Sequence, residues 1–113
     1  MNSPSGLPVE TPSLDKVKRS IELHFQEGFR GVRVDILCGN SVLASIFAKT
    51  QFQTGLAHIE TLELIDGQAL TISIAESDLK KDFEIDATKP FVTVAIVDGN
   101  LQTESTAIRP GYL

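Results

Sequence analysis

Residues 32–49 constrain the fold more than any other stretch, because they have the pattern of a β-hairpin. Two segments rich in β-branched residues, VRVDILC at 32–38 and VLASIFAK at 42–49, are separated by Gly39, Asn40 and Ser41. A Gly-Asn pair between such segments is typical of a tight turn that joins antiparallel strands. Similar segments, with turn residues roughly every 8–12 positions, continue along the chain, and this is the spacing of a β-sandwich.

The strand pattern predicts an all-β fold. From residue 21 onward the chain offers about seven or eight strand-like segments. None of it keeps a helical period long enough for the crossover helix of a parallel α/β sheet. We therefore expect an antiparallel sandwich of about seven or eight strands, immunoglobulin-like or prealbumin-like. Residues 91–97 are the most apolar segment and are expected inside a sheet, whereas the charged segment around 83–85 is expected at an edge.

The length of 113 residues is that of a single domain. Residues 1–13 contain three spaced prolines, which remove backbone donors, and are predicted to form a flexible, extended arm. Residues 14–113 are predicted to form one β-sandwich domain. At its start, residues 14–21 fit either a short helix begun by Ser13 or an early beginning of the first strand.

The formal charge of −5 argues against nucleic-acid binding, which normally uses a basic surface. No apolar run approaches the ~20 residues of a membrane-spanning helix, and the N-terminus lacks the pattern of a secretory signal. The sequence as written therefore predicts a cytoplasmic protein, or an extracellular one if the chain is a processed form. The single cysteine, Cys38, excludes an intramolecular disulfide.

The register of the predicted hairpin has two alternatives. A two-residue turn at Gly39-Asn40, favoured by the leading glycine, sets Val32 opposite Phe47 and Ile36 opposite Leu43. A three-residue loop, favoured by the cleaner apolar pattern, instead turns toward the core Val42, Ala44, Ile46 and Ala48. The return strand is apolar on both faces, so that either both faces are buried or one of them is a contact surface.

The run GVRVDILCGNSVLASIFAKTQFQTGLAHIETLELIDGQALTISI resembles a transthyretin-like or carboxypeptidase-regulatory-like sandwich. The shared pattern is strand, glycine turn, strand, Thr/Gly connection, strand, glycine turn and strand. Thr50 with Gly55-Leu56-Ala57 corresponds to the connection, and Asp66-Gly67 corresponds to the later turn. The likeness extends over about residues 31–97 and implies a sandwich module of that type.

The chain departs from the enzymatic branch of the transthyretin family, which hydrolyses 5-hydroxyisourate. That branch carries a histidine motif on its first strand and ends in Tyr-Arg-Gly-Ser. This chain ends Arg109-Pro110-Gly111-Tyr112-Leu113, and nothing near Ile21 matches the histidine motif. The resemblance therefore implies a module without that enzymatic activity.

Cys38, His24 and His58 are the residues to consider for catalysis or metal binding. Cys38 has no local signature of a catalytic cysteine, and a free cysteine is most often a small buried hydrophobe. The histidines fall at alternating positions expected to face solvent, without the spacing of a zinc site. Glu60 and Glu63 are expected on opposite faces of a strand rather than as an acid–base pair.

Acidic residues also occur in or near predicted loops, where a sandwich can collect a calcium ion: Asp78, Asp82, Asp86 and Asp98. Their spacing is not that of an EF-hand, and solvated loops explain such residues better. No catalytic, cofactor-binding or metal-binding residue is therefore predicted.

The sequence predicts a non-catalytic β-sandwich module for protein binding or scaffolding. The alternative is a homo-oligomeric structural or assembly subunit, and the third hypothesis is a small hydrolase. The expected partner is a protein or another copy of the chain, not nucleic acid or a membrane. The candidate contact surface lies on the return strand of the hairpin and consists of Val42, Leu43, Ile46 and Phe47.

Overall fold

The computed structural model describes residues 17–112, and these form a two-sheet β-sandwich. The eight strands are β1 (Lys18–Phe25), β2 (Arg30–Cys38), β3 (Ser41–Lys49), β4 (His58–Ile65), β5 (Ala69–Ile74), β6 (Leu79–Glu84), β7 (Phe91–Val97) and β8 (Asn100–Thr106). Within this part of the chain the one helical element is a 3₁₀ turn at Ala75–Ser77. The all-β sandwich predicted from the sequence is confirmed.

Each sheet has four strands, in the order β4-β1-β7-β8 for sheet A and β3-β2-β5-β6 for sheet B. β7 lies inside sheet A and β6 lies at an edge of sheet B, as predicted. Neighbouring strands are antiparallel except β1 and β7, which run parallel, so the antiparallel prediction is wrong at this pair. A parallel pair needs a long connection, and here β2 to β6 supply it. β1 and β2 lie in different sheets, unlike the first two strands of a constant-type immunoglobulin domain.

Alternation along the strands fills a common core between the sheets. In β1, Ile21, Leu23 and Phe25 are fully buried. Phe29 follows in the β1–β2 turn and packs edge-on against Phe25, with ring centroids 5.7 Å apart. Phe29 is buried and belongs to the same core. The opposite sheet and β7 contribute Val34, Ile36, Leu70, Ile72, Ile74, Val92 and Val94.

The β1–β2 turn lies against β7 and depends on Gly28. The backbone N–H of Ile96 donates to the carbonyl of Glu27 at 2.9 Å. Gly28 has a φ of +93°, and a Cβ at this position would lie 2.7 Å from the Cβ of Ile96. Glycine is therefore required both by the left-handed backbone and by the close approach to β7.

The turn between β2 and β3 contains two residues. Cys38 pairs with Ser41, so that Gly39 and Asn40 alone lie between the strands. Gly39 has a φ of +61°, which a glycine adopts without strain. The two-residue turn favoured by the sequence is therefore correct.

A β-bulge at Leu43 changes the register that this turn would otherwise impose. Leu37 pairs with Val42 but Ile36 pairs with Ala44, so that Leu43 is an extra residue in β3. The bulge moves the rest of the strand by one position relative to β2. As a result the residues directed toward the core are Ala44, Ile46 and Ala48.

The bulge combines the two predicted alternatives in one hairpin. Val32 pairs with Ala48, and Phe47 pairs with Arg33. The predicted pairs of Val32 with Phe47 and of Ile36 with Leu43 are therefore wrong. The core has the apolar pattern of the longer loop, although the turn has the shorter length.

β1 begins at Lys18, which agrees with an early start of the first strand. The arm predicted at residues 1–13, and the helix begun by Ser13 as far as residue 16, lie outside the described residues. No helix in residues 17–112 has the length and apolar composition needed to cross a membrane.

Candidate functional site

Three of the four residues of the predicted contact surface lie at the surface of β3. Val42 is 55% exposed, Leu43 39% and Phe47 67%. Ile46 is only 9% exposed and belongs to the core, so its inclusion in a surface is wrong, because the bulge at Leu43 directs it inward. The described residues contain five large exposed apolar side chains, and three of them therefore share one strand.

β3 is a free edge of sheet B. Within residues 17–112 its only sheet neighbour is β2, so the backbone groups on its other side have no strand partner. Its sequence, SVLASIFAK, carries no charge before Lys49. Edge strands usually carry charged residues or proline that discourage pairing with another chain.

The other free edges carry such protection. β6, with the sequence LKKDFE, has four charged residues, and β4 has Glu60 and Glu63. β8, NLQTEST, is polar apart from Leu101 and contains Glu104. Among the four edges, β3 is therefore the one best suited to accept another strand.

A groove of about 500 Å³ lies on the outer face of sheet B beside this edge. It is lined by Gly31, Arg33, Asp35, Phe47, Ala75 and Glu76. The Phe47 ring lies over Gly31, where an added Cβ would be 3.2 Å from the ring. Glycine at this second bulge of the hairpin therefore gives the aromatic side chain its place at the groove.

Two of the lining residues, Arg33 and Asp35, form a small polar cluster with Ser45. The Ser45 hydroxyl donates to Asp35 Oδ1 at 2.6 Å, and Arg33 Nε donates to the same oxygen at 3.1 Å. The hydrogen bond from Ser45, and to a smaller extent that from Arg33, holds the pKa of Asp35 below its ordinary value. The cluster presents fixed polar groups next to the apolar Phe47, and binding sites commonly combine an apolar surface with a few such polar groups.

A second polar constellation lies on the outer face of sheet A, where the C-terminal segment folds back across β1. His24 Nε2 is 2.8 Å from Glu22 Oε1, and His24 Nδ1 is 2.9 Å from the Tyr112 hydroxyl. Gln26 Nε2 donates to that hydroxyl at 2.9 Å, and Arg109 Nε donates to Glu22 Oε1 at 2.9 Å. The hydrogen bonds from His24 and Arg109 hold the pKa of Glu22 below its ordinary value.

The expectation that His24 faces solvent is wrong, because its side chain is fully buried. Strand alternation correctly placed His24 on the face away from the core. The C-terminal segment that covers this face follows the last strand, so the strand pattern does not predict it. The carboxylate–histidine–hydroxyl order resembles a catalytic triad. Here each of these groups is engaged with a neighbour, and the Tyr112 ring stacks on His24 with centroids 5.7 Å apart. These contacts hold the C-terminal segment against β1.

Cys38, His58 and Asp82 are also held by local hydrogen bonds. Gln68 Nε2 donates to Cys38 Sγ at 3.1 Å, and His58 Nε2 is 2.8 Å from Glu60 Oε1. Asp82 accepts from the hydroxyl of Thr71. Among residues 17–112 no three His, Cys, Asp or Glu side chains converge in a manner that could hold a metal ion.

The chain matches no protein-family model, no curated protein and no solved structure.

Proposed function

We propose that this protein is a non-catalytic β-sandwich module that binds an extended segment of a partner protein along the free edge of β3. The observation that carries the proposal concerns residues 17–112, in which β3 has a sheet neighbour on one side only and no charge before Lys49. The same strand carries three exposed apolar side chains. Isolated apolar residues at a surface are ordinary. Apolar residues clustered on an open strand are typical of an interaction site.

Strand addition fits the geometry of this edge. An incoming segment would satisfy the outward backbone groups of β3 and continue sheet B by one strand. Because side chains alternate along a strand, every second residue of the segment would lie on the outer face. An apolar residue there would contact Phe47, and a polar residue would reach the cluster of Arg33 and Asp35.

The candidate catalytic side chains support a structural rather than a chemical role. Cys38, His24 and His58 each have a hydrogen-bond partner that fixes the side chain. Neither His24 nor Cys38 lines the groove beside Phe47. We further propose the prealbumin-like alternative for the sandwich, because β1 and β2 lie in separate sheets, unlike the immunoglobulin order.

The test selects peptides from a phage-displayed library on the immobilised full chain. Selected peptides are synthesised, and their dissociation constants are measured by fluorescence polarisation. We expect Phe47→Ala to weaken binding at least tenfold, whereas Gln102→Ala, a matched change on the edge strand β8, leaves it unchanged.

Two further measurements establish the binding mode. Two versions of the peptide are made, one methylated at the odd-numbered backbone nitrogens and one at the even-numbered ones. Only one of the two should lose binding, since only one set of N–H groups faces β3. Amide resonances of residues 41–49 should shift more than those of β8 on titration. Peptides that are indifferent to Phe47→Ala, or shifts confined to other strands, would contradict the proposal.

A further inference from the structure

We propose that a second copy of this chain is a partner of β3, paired antiparallel about a two-fold axis near Ser45. This inference rests on the proposed function, because it uses the same edge. It identifies the occupant by the complementarity of β3 to itself.

The apolar side chains of β3 are arranged so that an antiparallel copy completes them. Leu43 and Phe47 lie two positions on either side of Ser45. A two-fold axis at Ser45 therefore forms two equivalent pairs, in each of which Phe47 of one copy lies opposite Leu43 of the other. Cross-strand pairs of aromatic and aliphatic residues are stabilising.

The charges also permit this pairing. Lys49, the only charged residue of β3, comes opposite Ser41 of the other copy, so that no like charges face each other.

The size of the interface sets its strength. A strand of nine residues is about 30 Å long. With two sheets about 10 Å apart plus their side chains, the contact buries on the order of 500 Å² per copy, below the roughly 800 Å² of a standard stable interface. The dimer is therefore weak and reversible, and a peptide or another protein can displace it.

The two-fold pairing also limits growth of the assembly. An isologous contact uses the same edge of both copies and leaves neither edge free. The edge of β3 is thus covered at high concentration without forming an open chain of molecules. This explains how β3 can have a single charge, at Lys49, where the other edges have more protection.

Sedimentation velocity of the full chain between about 1 and 500 μM tests the inference. We expect a reversible monomer–dimer equilibrium with a dissociation constant in the micromolar range or weaker, as for small transient interfaces. Phe47→Lys should raise this constant at least tenfold, because it places a cation on an apolar contact. Gln102→Lys, the same change on β8, should leave it unchanged. Far-UV circular dichroism verifies that each variant is folded.

A cross-link tests the axis directly. In a Cys38→Ser background, Ser45→Cys should give a disulfide-linked dimer under mild oxidation, because directly opposed residues have Cα atoms about 4.5–5.5 Å apart. Gln102→Cys in the same background should not.

A chain that stays monomeric at every concentration overturns the second copy as the partner. A dimer whose dissociation constant Phe47→Lys leaves unchanged, and that Ser45→Cys does not cross-link, overturns it too. The peptide titration reports separately on strand addition, so that peptides sensitive to Phe47→Ala would uphold the proposed function even in that case.

Discussion

Tyr112 and His24, which are 88 residues apart, are joined by a hydrogen bond of 2.9 Å between the phenolic oxygen and Nδ1. The rings are stacked with an interplanar angle of 18°. All hydrogen-bonding groups are satisfied when His24 carries its proton on Nε2. The Nε2–H group then donates a hydrogen bond to Glu22, and the Tyr112 hydroxyl donates to Nδ1 while accepting from Gln26.

Tyr112→Phe should destabilise the protein while keeping the aromatic stack. It leaves Nδ1 of the buried His24 and one Gln26 proton without their partner, at a cost of about 1–3 kcal/mol in the free energy of unfolding. Urea unfolding followed by circular dichroism measures the change. Ile108→Ala, a change of a highly exposed residue in the same segment, should stay within about 0.5 kcal/mol. Equal effects of the two variants would show that the tail is not held through Tyr112.

Gly28→Ala should be far more destabilising than Gly67→Ala. Both glycines have a left-handed φ, of +93° and +83°, so both changes cost about 1–2 kcal/mol for the backbone. Only at Gly28 does the new Cβ collide with Ile96, since nothing lies within 4 Å of the corresponding position at Gly67. Overpacking adds about 1–3 kcal/mol, and the difference between the two melting temperatures reports it. Identical melting temperatures would contradict the close approach of the turn to β7.

Asp35→Asn should reduce stability in a way that depends on pH. The pKa of Asp35 is lowered in the folded protein by Ser45 and Arg33. The carboxylate therefore stabilises the fold above its ordinary pKa of 3.8, and this contribution is lost as the pH falls through the lower folded value. Thermal unfolding between pH 7 and pH 2 should show a gap between wild type and variant that narrows at acid pH. A gap of constant size across this range would contradict the role of the carboxylate.

Deleting Leu43 should preserve the fold. Without the extra residue, Val42 and Ala44 become adjacent and can pair regularly with Leu37 and Ile36, so the core residues of β3 keep their orientation. We expect a cooperative transition within about 1 kcal/mol of wild type, a size usual for changes at surface positions. Deleting Thr71 from the regular interior strand β5 should instead abolish cooperative unfolding, because it turns core residues outward. Loss of folding on deletion of Leu43 would show that the bulge is needed for the hairpin.

The sequence predicted the elements that depend on local pattern. The alternation of Ile21, Leu23 and Phe25 specified β1, and the glycines specified the turns, because strand period and positive φ are properties of neighbouring residues. The bulge at Leu43 was not predictable, since a one-residue shift depends on which face finds a core across the sandwich. The two plausible registers differed in turn length and in the side chains that they directed toward the core, and the hairpin combines the turn of one with the core pattern of the other.

The surface was predicted less completely for the same reason. Val42, Leu43 and Phe47 were identified because the return strand is apolar on both faces, and Ile46 was wrongly included because the bulge that turns it inward was not foreseen. The cover over His24 was missed, because Arg109 and Tyr112 belong to a segment without regular structure, and no periodic signal connects them with β1. Only the folded chain brings them to Glu22 and His24.

The parallel pairing of β1 with β7 has a consequence for the newborn chain. Sixty-five residues separate Phe25 from Phe91, and at translation rates of about 5–20 residues per second their synthesis takes roughly 3–13 s. During that interval the hairpin of β2 and β3 can form, while residues 22–25 of β1 have no strand on the side that β7 will occupy. The order in which the strands emerge, as well as the strength of their contacts, thus determines how long this side of β1 stays exposed to water.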